Sequence, residues 1–166
     1  MSSTQPHLTP GLFRRACGRF ATGVVVAAVL DAERRPHGLT INSFTSVSLD
    51  PPLVLICIDY RAAIFPSFRA APYFGLSILS DQQQEISHRF ATRPDDRFEG
   101  VAWREGQYAV PLIAGAVATL ECRLDRLLDA GDHGIFLGEV LQASVNDGEP
   151  LVYYQGYQKL QVPHQS

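Results

Sequence analysis

The chain has 166 residues, 46% of them hydrophobic, which is the size and apolar content of one domain with a substantial buried core. Fourteen basic residues against seventeen acidic ones leave a formal charge of −3, so no basic excess exists to neutralise a phosphodiester backbone, and nucleic acid is not an expected partner. Residues 1–10 lack the basic-then-apolar layout of a signal peptide, and no apolar run reaches membrane-spanning length. The expectation is therefore a cytoplasmic protein without membrane attachment, a single domain over 1–166 with a flexible stretch at 1–10.

Thr9 and Pro10 match a helix N-cap and first turn, and Leu12, Phe13, Ala16, Cys17 and Phe20 then recur on one face. This spacing predicts an amphipathic helix, ended by Thr22 and Gly23. Residues 24–30 (VVVAAVL) are too β-branched and too uniformly apolar for a surface helix, and predict a buried strand. A turn at 31–36 should return the chain as a strand over 37–41. Residues 53–58 (LVLICI), bounded by Pro51-Pro52 and by Asp59-Tyr60-Arg61, read as another buried strand, followed by a short helix at 65–70. Residues 73–80 alternate, with Phe74, Leu76 and Ile78 on one side. Asp81 with Gln84 then resembles a capping box opening a helix that carries Ile86 and Phe90. Arg93-Pro94-Asp95-Asp96 reads as a loop.

Over 116–124, Ala116, Ala118, Leu120, Cys122 and Leu124 face one way while Val117, Thr119, Glu121 and Arg123 face the other, as in a half-buried strand. Residues 129–134 break that pattern and 135–145 resume it before the Asn146-Asp147-Gly148 turn, an arrangement that fits a hairpin. Many strands at turn-punctuated spacing with few helices predict an antiparallel barrel with helical decoration.

Thr40-Ile41-Asn42-Ser43-Phe44-Thr45-Ser46-Val47-Ser48 places hydroxyls and one amide between two apolar runs. Taken alone, the pattern favours a Ser/Thr-rich turn whose side chains satisfy their own backbone. The alternative is a cradle for a polar, anionic or heteroaromatic ligand. Cys17, Cys57 and Cys122 are odd in number and far apart, so buried thiols are expected rather than a disulfide framework or a redox pair. The five histidines show no metal-ligand spacing, and no protein-bound metal is expected. No GxSxG or HExxH motif is present.

Phe20-Ala21-Thr22-Gly23-Val24, residues 40–52, Arg89-Phe90-Ala91, FEGVAWR at 98–104, Gly131-Asp132-His133 and Tyr153-Tyr154-Gln155-Gly156-Tyr157 occur in that order. Together they resemble the short-chain flavin reductase family, the reductase partners of two-component flavin monooxygenases. The likeness covers about 13–160. It implies a mainly β, antiparallel split β-barrel (an FMN-binding split barrel) with a few short flanking helices, usually a homodimer. The implied cofactors are FMN or FAD, with NADH or NADPH as hydride donor, and the implied partner is a flavin-dependent monooxygenase that receives reduced flavin.

The resemblance assigns flavin binding to Thr40, Ile41, Asn42, Ser43 and Ser46, then to Cys57, Ile58 and Asp59 along the next strand, and to Phe90 and Ala91. It places His133 beside the nicotinamide as the catalytic position and includes Tyr157, while Asp132 either orients the His133 ring or caps the turn. Hydride transfer asks the protein for positioning, because the cofactors carry the reacting atoms. The chain departs from the family pattern at Arg61-Ala62-Ala63-Ile64-Phe65-Pro66, where a hydroxyl-rich tract is common. Arg61, Arg97 or Arg89 would then supply the charge-assisted bond to the flavin phosphate. Two functions stay open: an NAD(P)H:flavin oxidoreductase, or a flavin-binding barrel recruited to a non-reductase tailoring or binding role in aromatic metabolite biosynthesis.

Overall fold

The structure, a computed structural model, describes residues 8–93 and 95–158, Gln158 by its backbone alone. In chain order the elements are α1 (Pro10–Cys17), β1 (Thr22–Gly23), β2 (Val25–Leu30), β3 (Pro36–Ile41), β4 (Thr45–Leu49), β5 (Pro52–Asp59), α2 (Phe65–Ala70) and β6 (Tyr73–Ile78). A 3-10 turn (Asp81–Gln83) then leads into α3 (Gln84–Thr92), followed by β7 (Trp103–Glu105), β8 (Pro111–Ile113), β9 (Ala118–Ala130), β10 (His133–Val145), β11 (Val152–Tyr153) and β12 (Tyr157–Gln158). Seven strands form one antiparallel sheet in the order β3-β2-β6-β9-β10-β5-β4, and β7 pairs with β8 in a separate hairpin. The ladder is not closed: β3 and β4 are its edges.

The sheet curls around one apolar cluster. Val25, Ala27 and Val29 of β2, Phe74 and Leu76 of β6, Cys122 of β9, Phe136 of β10, Val54, Ile56 and Ile58 of β5 and Ile41 of β3 all meet there. A flat sheet would hold β3 and β5 five strands apart, so their meeting requires strong coiling. Phe65 and Phe68 of α2 plug the cluster, both edge-on to Phe136 at centroid distances of 5.6 and 5.8 Å. Each such fully buried side chain contributes about 1.5–3 kcal/mol of transfer free energy.

Strand β5 alternates as its pattern demands, with Val54, Ile56 and Ile58 inward and Leu53, Leu55 and Cys57 half-buried. β2 does not alternate because both of its faces are covered: Val24, Val26 and Ala28 pack into a second cluster with Leu79, Phe90, Phe98 and Ile113.

Several expectations are corrected. The predicted flexible stretch at 1–10 ends in structure, since Thr9 Oγ1 accepts from the Leu12 N–H at 3.1 Å and Pro10 opens α1; residues 1–7 lie outside the described residues. No residue of α1 is buried, so its apolar stripe, Phe13 included, faces solvent in the single chain. The capping box lies one residue earlier than predicted: Ser80 is the N-cap, and Gln83 Oε1 accepts from the Ser80 N–H at 3.0 Å.

β9 begins at Ala118 and runs on to Ala130, so only Gly131 and Asp132 connect it to β10, with Gly131 at φ 64. Thr119 and Glu121, predicted to face solvent, are buried beneath the segment joining β7 to β8. The Tyr108 N–H donates to Glu121 Oε2 at 2.8 Å, and a Cβ on Gly106 would lie 2.5 Å from that carboxylate. Finally, Thr45–Leu49 is an edge strand rather than a turn, and of the three thiols only Cys122 is buried.

Candidate functional site

The end of the β9–β10 hairpin meets the end of β5. His133 is the first residue of β10, in register with Asp59 of β5 and Ala130 of β9. Its Nδ1 lies 2.6 Å from Asp132 Oδ1. With Nδ1–H donated to that carboxylate, Nε2 is left as an acceptor that bonds to nothing among the described residues. The same hydrogen bond holds the Asp132 carboxyl below the usual carboxylate range. Asp59 accepts from the Arg61 N–H at 2.8 Å and from Arg61 Nη2 at 2.7 Å. Those bonds, assisted by the field of His133, bring its carboxyl down to about 2. Asp59, Arg61, Asp132 and His133 thus form one ordered charged patch at the mouth of the curled sheet.

The polar loop is tied to that patch through one hydroxyl. Ser43 Oγ donates to the Cys57 C=O and accepts from the Cys57 N–H, both at 3.0 Å. β4 pairs with β5 only from Thr45 and Leu55 onward, so the Ser43 side chain stands in for a missing strand partner two residues before Asp59. Burial raises the Cys57 thiol above its usual range. Asn42 and Ser46 are exposed, and their side chains make no hydrogen bond among the described residues. Ile41 and Ile58 point into the core, so only their backbones can reach a ligand.

Other predicted residues gather around α3. Thr40 Oγ1 donates to the Ser87 C=O at 2.7 Å, and Ser87 Oγ lies 2.9 Å from the Tyr157 hydroxyl. Phe90 is fully buried, edge-on to Phe98 at 4.8 Å, and Gly38 packs so closely that a Cβ there would lie 2.8 Å from the Phe90 ring. Arg97 Nη1 donates to the Gly38 C=O at 2.7 Å and Arg97 Nε to the Arg93 C=O at 2.5 Å, while burial lowers the guanidinium's pKa. Arg89 Nη1 donates to the Glu99 C=O at 2.6 Å, and Ala91 is exposed on the helix.

Two grooves border these groups. One, of about 560 Å³, runs past His37, Gly38, Ala63, Ile64 and Arg97. The other, of about 370 Å³, lies between α1 and Asn42, Thr22 and Tyr153, and the Thr22 hydroxyl is buried without a hydrogen-bond partner among the described residues. The structure therefore brings Ser43, Cys57, Asp59, Arg61, Asp132 and His133 together at one end, and Thr40, Phe90, Arg97 and Tyr157 around α3. Ser46 stands apart on the edge strand.

Sequence reasoning missed Ser87, Gly38 and Thr22. Thr22 lay within the quoted Phe20–Val24 motif, whereas nothing local marks Ser87 or Gly38. It also missed His37, whose Nε2 lies 2.9 Å from Asp31 Oδ2. That bond and those from Arg35 hold the Asp31 carboxyl far below its usual range. No helix among the described residues is long and apolar enough to cross a membrane.

A flavin reductase like domain model matches residues 17–161. A probable flavin reductase of Rhizobium meliloti (strain 1021) is 43% identical over 131 residues, 79% of this chain, which spans 42% of that protein's length. The 4-hydroxyphenylacetate 3-monooxygenase reductase component of Thermus thermophilus is 43% identical over 154 residues, 91% of this chain and 97% of that one. The solved structure of a Streptomyces globisporus C-1027 NADH:FAD oxidoreductase in complex with NAD and FAD fragments superposes with a TM-score of 0.88 at 40% identity, covering 98% of this chain and 100% of that one. With a family model matched over nearly its whole length, on the same mainly antiparallel architecture, the chain belongs to the flavin reductase-like family.

Proposed function

We propose that this chain is an NAD(P)H-dependent flavin reductase, which passes a hydride from nicotinamide to FMN or FAD and supplies reduced flavin to a partner flavin-dependent monooxygenase. The relatives' activities support this reading, and one observation within the chain carries it. Ser43 grips Cys57 two residues before Asp59, and Asp59 is in register with His133, so the polar loop and the histidine turn converge on one end of the sheet. We read the curled, unclosed sheet as a split barrel whose opening lies between its β3 and β4 edges. We also read the molecule as a homodimer, which the solvent-facing apolar stripe of α1 supports.

The residues present fit a flavin. Among the described residues, the Asn42 and Ser46 side chains make no hydrogen bond and the Thr22 hydroxyl is an orphan beside Asn42. When bound, flavin and nicotinamide supply the hydride acceptor and donor atoms. What the chain contributes is positioning. Asn42 and the backbone of Thr40, Ile41 and Ser43 would hold the ring's polar edge, while the Ser43–Cys57 latch keeps that backbone fixed relative to β5. Asp132 orients the His133 ring, leaving Nε2 to accept a hydrogen bond from the nicotinamide carboxamide. Asp59, ionised throughout the neutral range, keeps Arg61 folded back against β5.

Steady-state oxidation of NADH and NADPH with added FMN or FAD tests the reading. Turnover dependent on flavin is the expected result, and no turnover with either flavin would overturn it.

A further inference from the structure

His133 and the carboxylate bonded to it sit on the same hairpin turn. The Asp132 side chain is 79% exposed, and the imidazole makes no other hydrogen bond among the described residues, so the ring lies wherever the turn is held. Asp129, Ala130, Gly131 and Asp132 are all exposed, and Gly131 takes a left-handed conformation. An exposed hairpin end with so little buried surface opens readily unless something ties it down.

Tyr60 supplies two ties. Its backbone N–H donates to the Asp132 C=O at 3.1 Å, one step beyond the last β5–β10 pair, Asp59 with His133. Its hydroxyl donates to Asp129 Oδ1 at 2.5 Å, on the other arm of the hairpin. A single residue at the end of β5 thus grips the chain on both sides of the turn. A hydroxyl-to-carboxylate bond of that length is charge-assisted, and the same bond raises the phenol's pKa above its usual value, so it remains a proton donor throughout the neutral range.

The Tyr60 ring is itself anchored. The Ala62 N–H donates to the Asp59 C=O and the Phe65 N–H to the Ala62 C=O, and across this folded-back segment the Tyr60 ring meets Phe65 edge-on at 4.9 Å. Phe65 is buried, and a Cβ on Gly134 would lie 2.9 Å from its ring. Packing therefore runs from Tyr60 through Phe65 to the backbone of the residue after His133.

We propose that Tyr60 is a positioning residue for hydride transfer: its hydroxyl, through Asp129, fixes the turn that aims His133. The proposal rests on the flavin reductase reading and adds what holds that histidine in place.

Tyr60→Phe tests it, because it removes the hydroxyl and keeps the ring on Phe65. With saturating flavin, kcat for NADH oxidation should fall about threefold to tenfold. The Kd for flavin should stay unchanged, and Tm should drop by no more than about 4 °C, since the lost bond is an exposed one. Asp129→Ala removes the same bond from an exposed position, so it should reproduce the loss, add nothing to Tyr60→Phe, and serve in its place should that variant fail to fold. Asp129→Asn, which keeps an acceptor oxygen, should recover part of the rate. Placed on His133→Ala, Tyr60→Phe should cost no further rate, whereas a residue that only stabilised the fold would cost the same fraction whatever stood at 133.

Amide hydrogen exchange over residues 131–134 reads the turn without turnover. It should speed up about tenfold in Tyr60→Phe, the loss of one such bond, while exchange in β2 is unchanged. An unchanged kcat, unchanged exchange at the turn, or a rate loss that persists in full on His133→Ala would each overturn the proposal. An unmodified chain that reduces no flavin would overturn the reductase reading, and the exchange measurement alone would then decide whether Tyr60 holds the turn.

Discussion

Replacing Ser43 by Ala removes one hydroxyl and strands two backbone groups. Ser43 Oγ accepts from the N–H and donates to the C=O of Cys57, each at 3.0 Å, beside the buried Ile58 of the same strand. An unsatisfied buried donor or acceptor costs about 1–3 kcal/mol. Cys57 is half-buried, so water compensates in part and the low end applies, giving about 2–3 kcal/mol for the two groups together. In a domain of this size each kcal/mol moves Tm by about 2–4 °C, so the expected drop is about 5–10 °C. Guanidinium unfolding followed through the single tryptophan, Trp103, measures the free energy directly. Ser43→Thr, which keeps the hydroxyl, should recover most of the loss. A change below about 0.5 kcal/mol, the range of a neutral surface substitution, would refute the claim that this hydroxyl replaces a strand partner.

Gly138→Ala tests how tightly the interior of the curled sheet is filled: the new Cβ would meet the Phe74 ring and lie 3.0 Å from Cys122 Cβ, so overpacking of about 1–3 kcal/mol is expected in the same unfolding assay. Burial pushes the Cys122 thiol up to about 12 from 9.0, so the folded state keeps a neutral thiol where the unfolded chain ionises it. That contribution is fully present below pH 9 and is lost as pH rises toward 12; stability should therefore fall more steeply over this window in the unmodified protein than in Cys122→Ala, and equal slopes would contradict it. His133→Ala should lower kcat for flavin reduction about tenfold or more while leaving the unfolding midpoint within error, because the imidazole is 41% exposed and, among the described residues, bonds only to Asp132. An unchanged kcat would remove His133 from the site.

The strands were legible where hydrophobic period and burial coincide. β5 alternates, and β2 runs apolar because both of its faces are covered, so each reads correctly from its residues alone. Thr9-Pro10 marked α1 because a cap is a local device. Thr119 and Glu121 were misread because their burial comes from the β7–β8 hairpin, a partner far away in sequence, and three-residue strands carry too few positions to show a period. The capping box slipped by one residue because Ser80-Asp81-Gln82-Gln83-Gln84 offers two overlapping frames, and only geometry chooses between them. At the site, the residue positions were legible but not which group each one uses. Ser43 and Thr40 look alike in sequence, yet both hydroxyls are spent on backbone, while the Asn42 and Ser46 side chains make no hydrogen bond among the described residues.

The central claim is that this chain itself passes a hydride from nicotinamide to flavin. Anaerobic mixing of the protein with FMN or FAD and then with NADH or NADPH, followed by the absorbance of oxidised flavin, tests it most directly. Bleaching that saturates with nicotinamide nucleotide and slows sharply in His133→Ala is the expected result; flavin that binds but stays oxidised with both donors would contradict it.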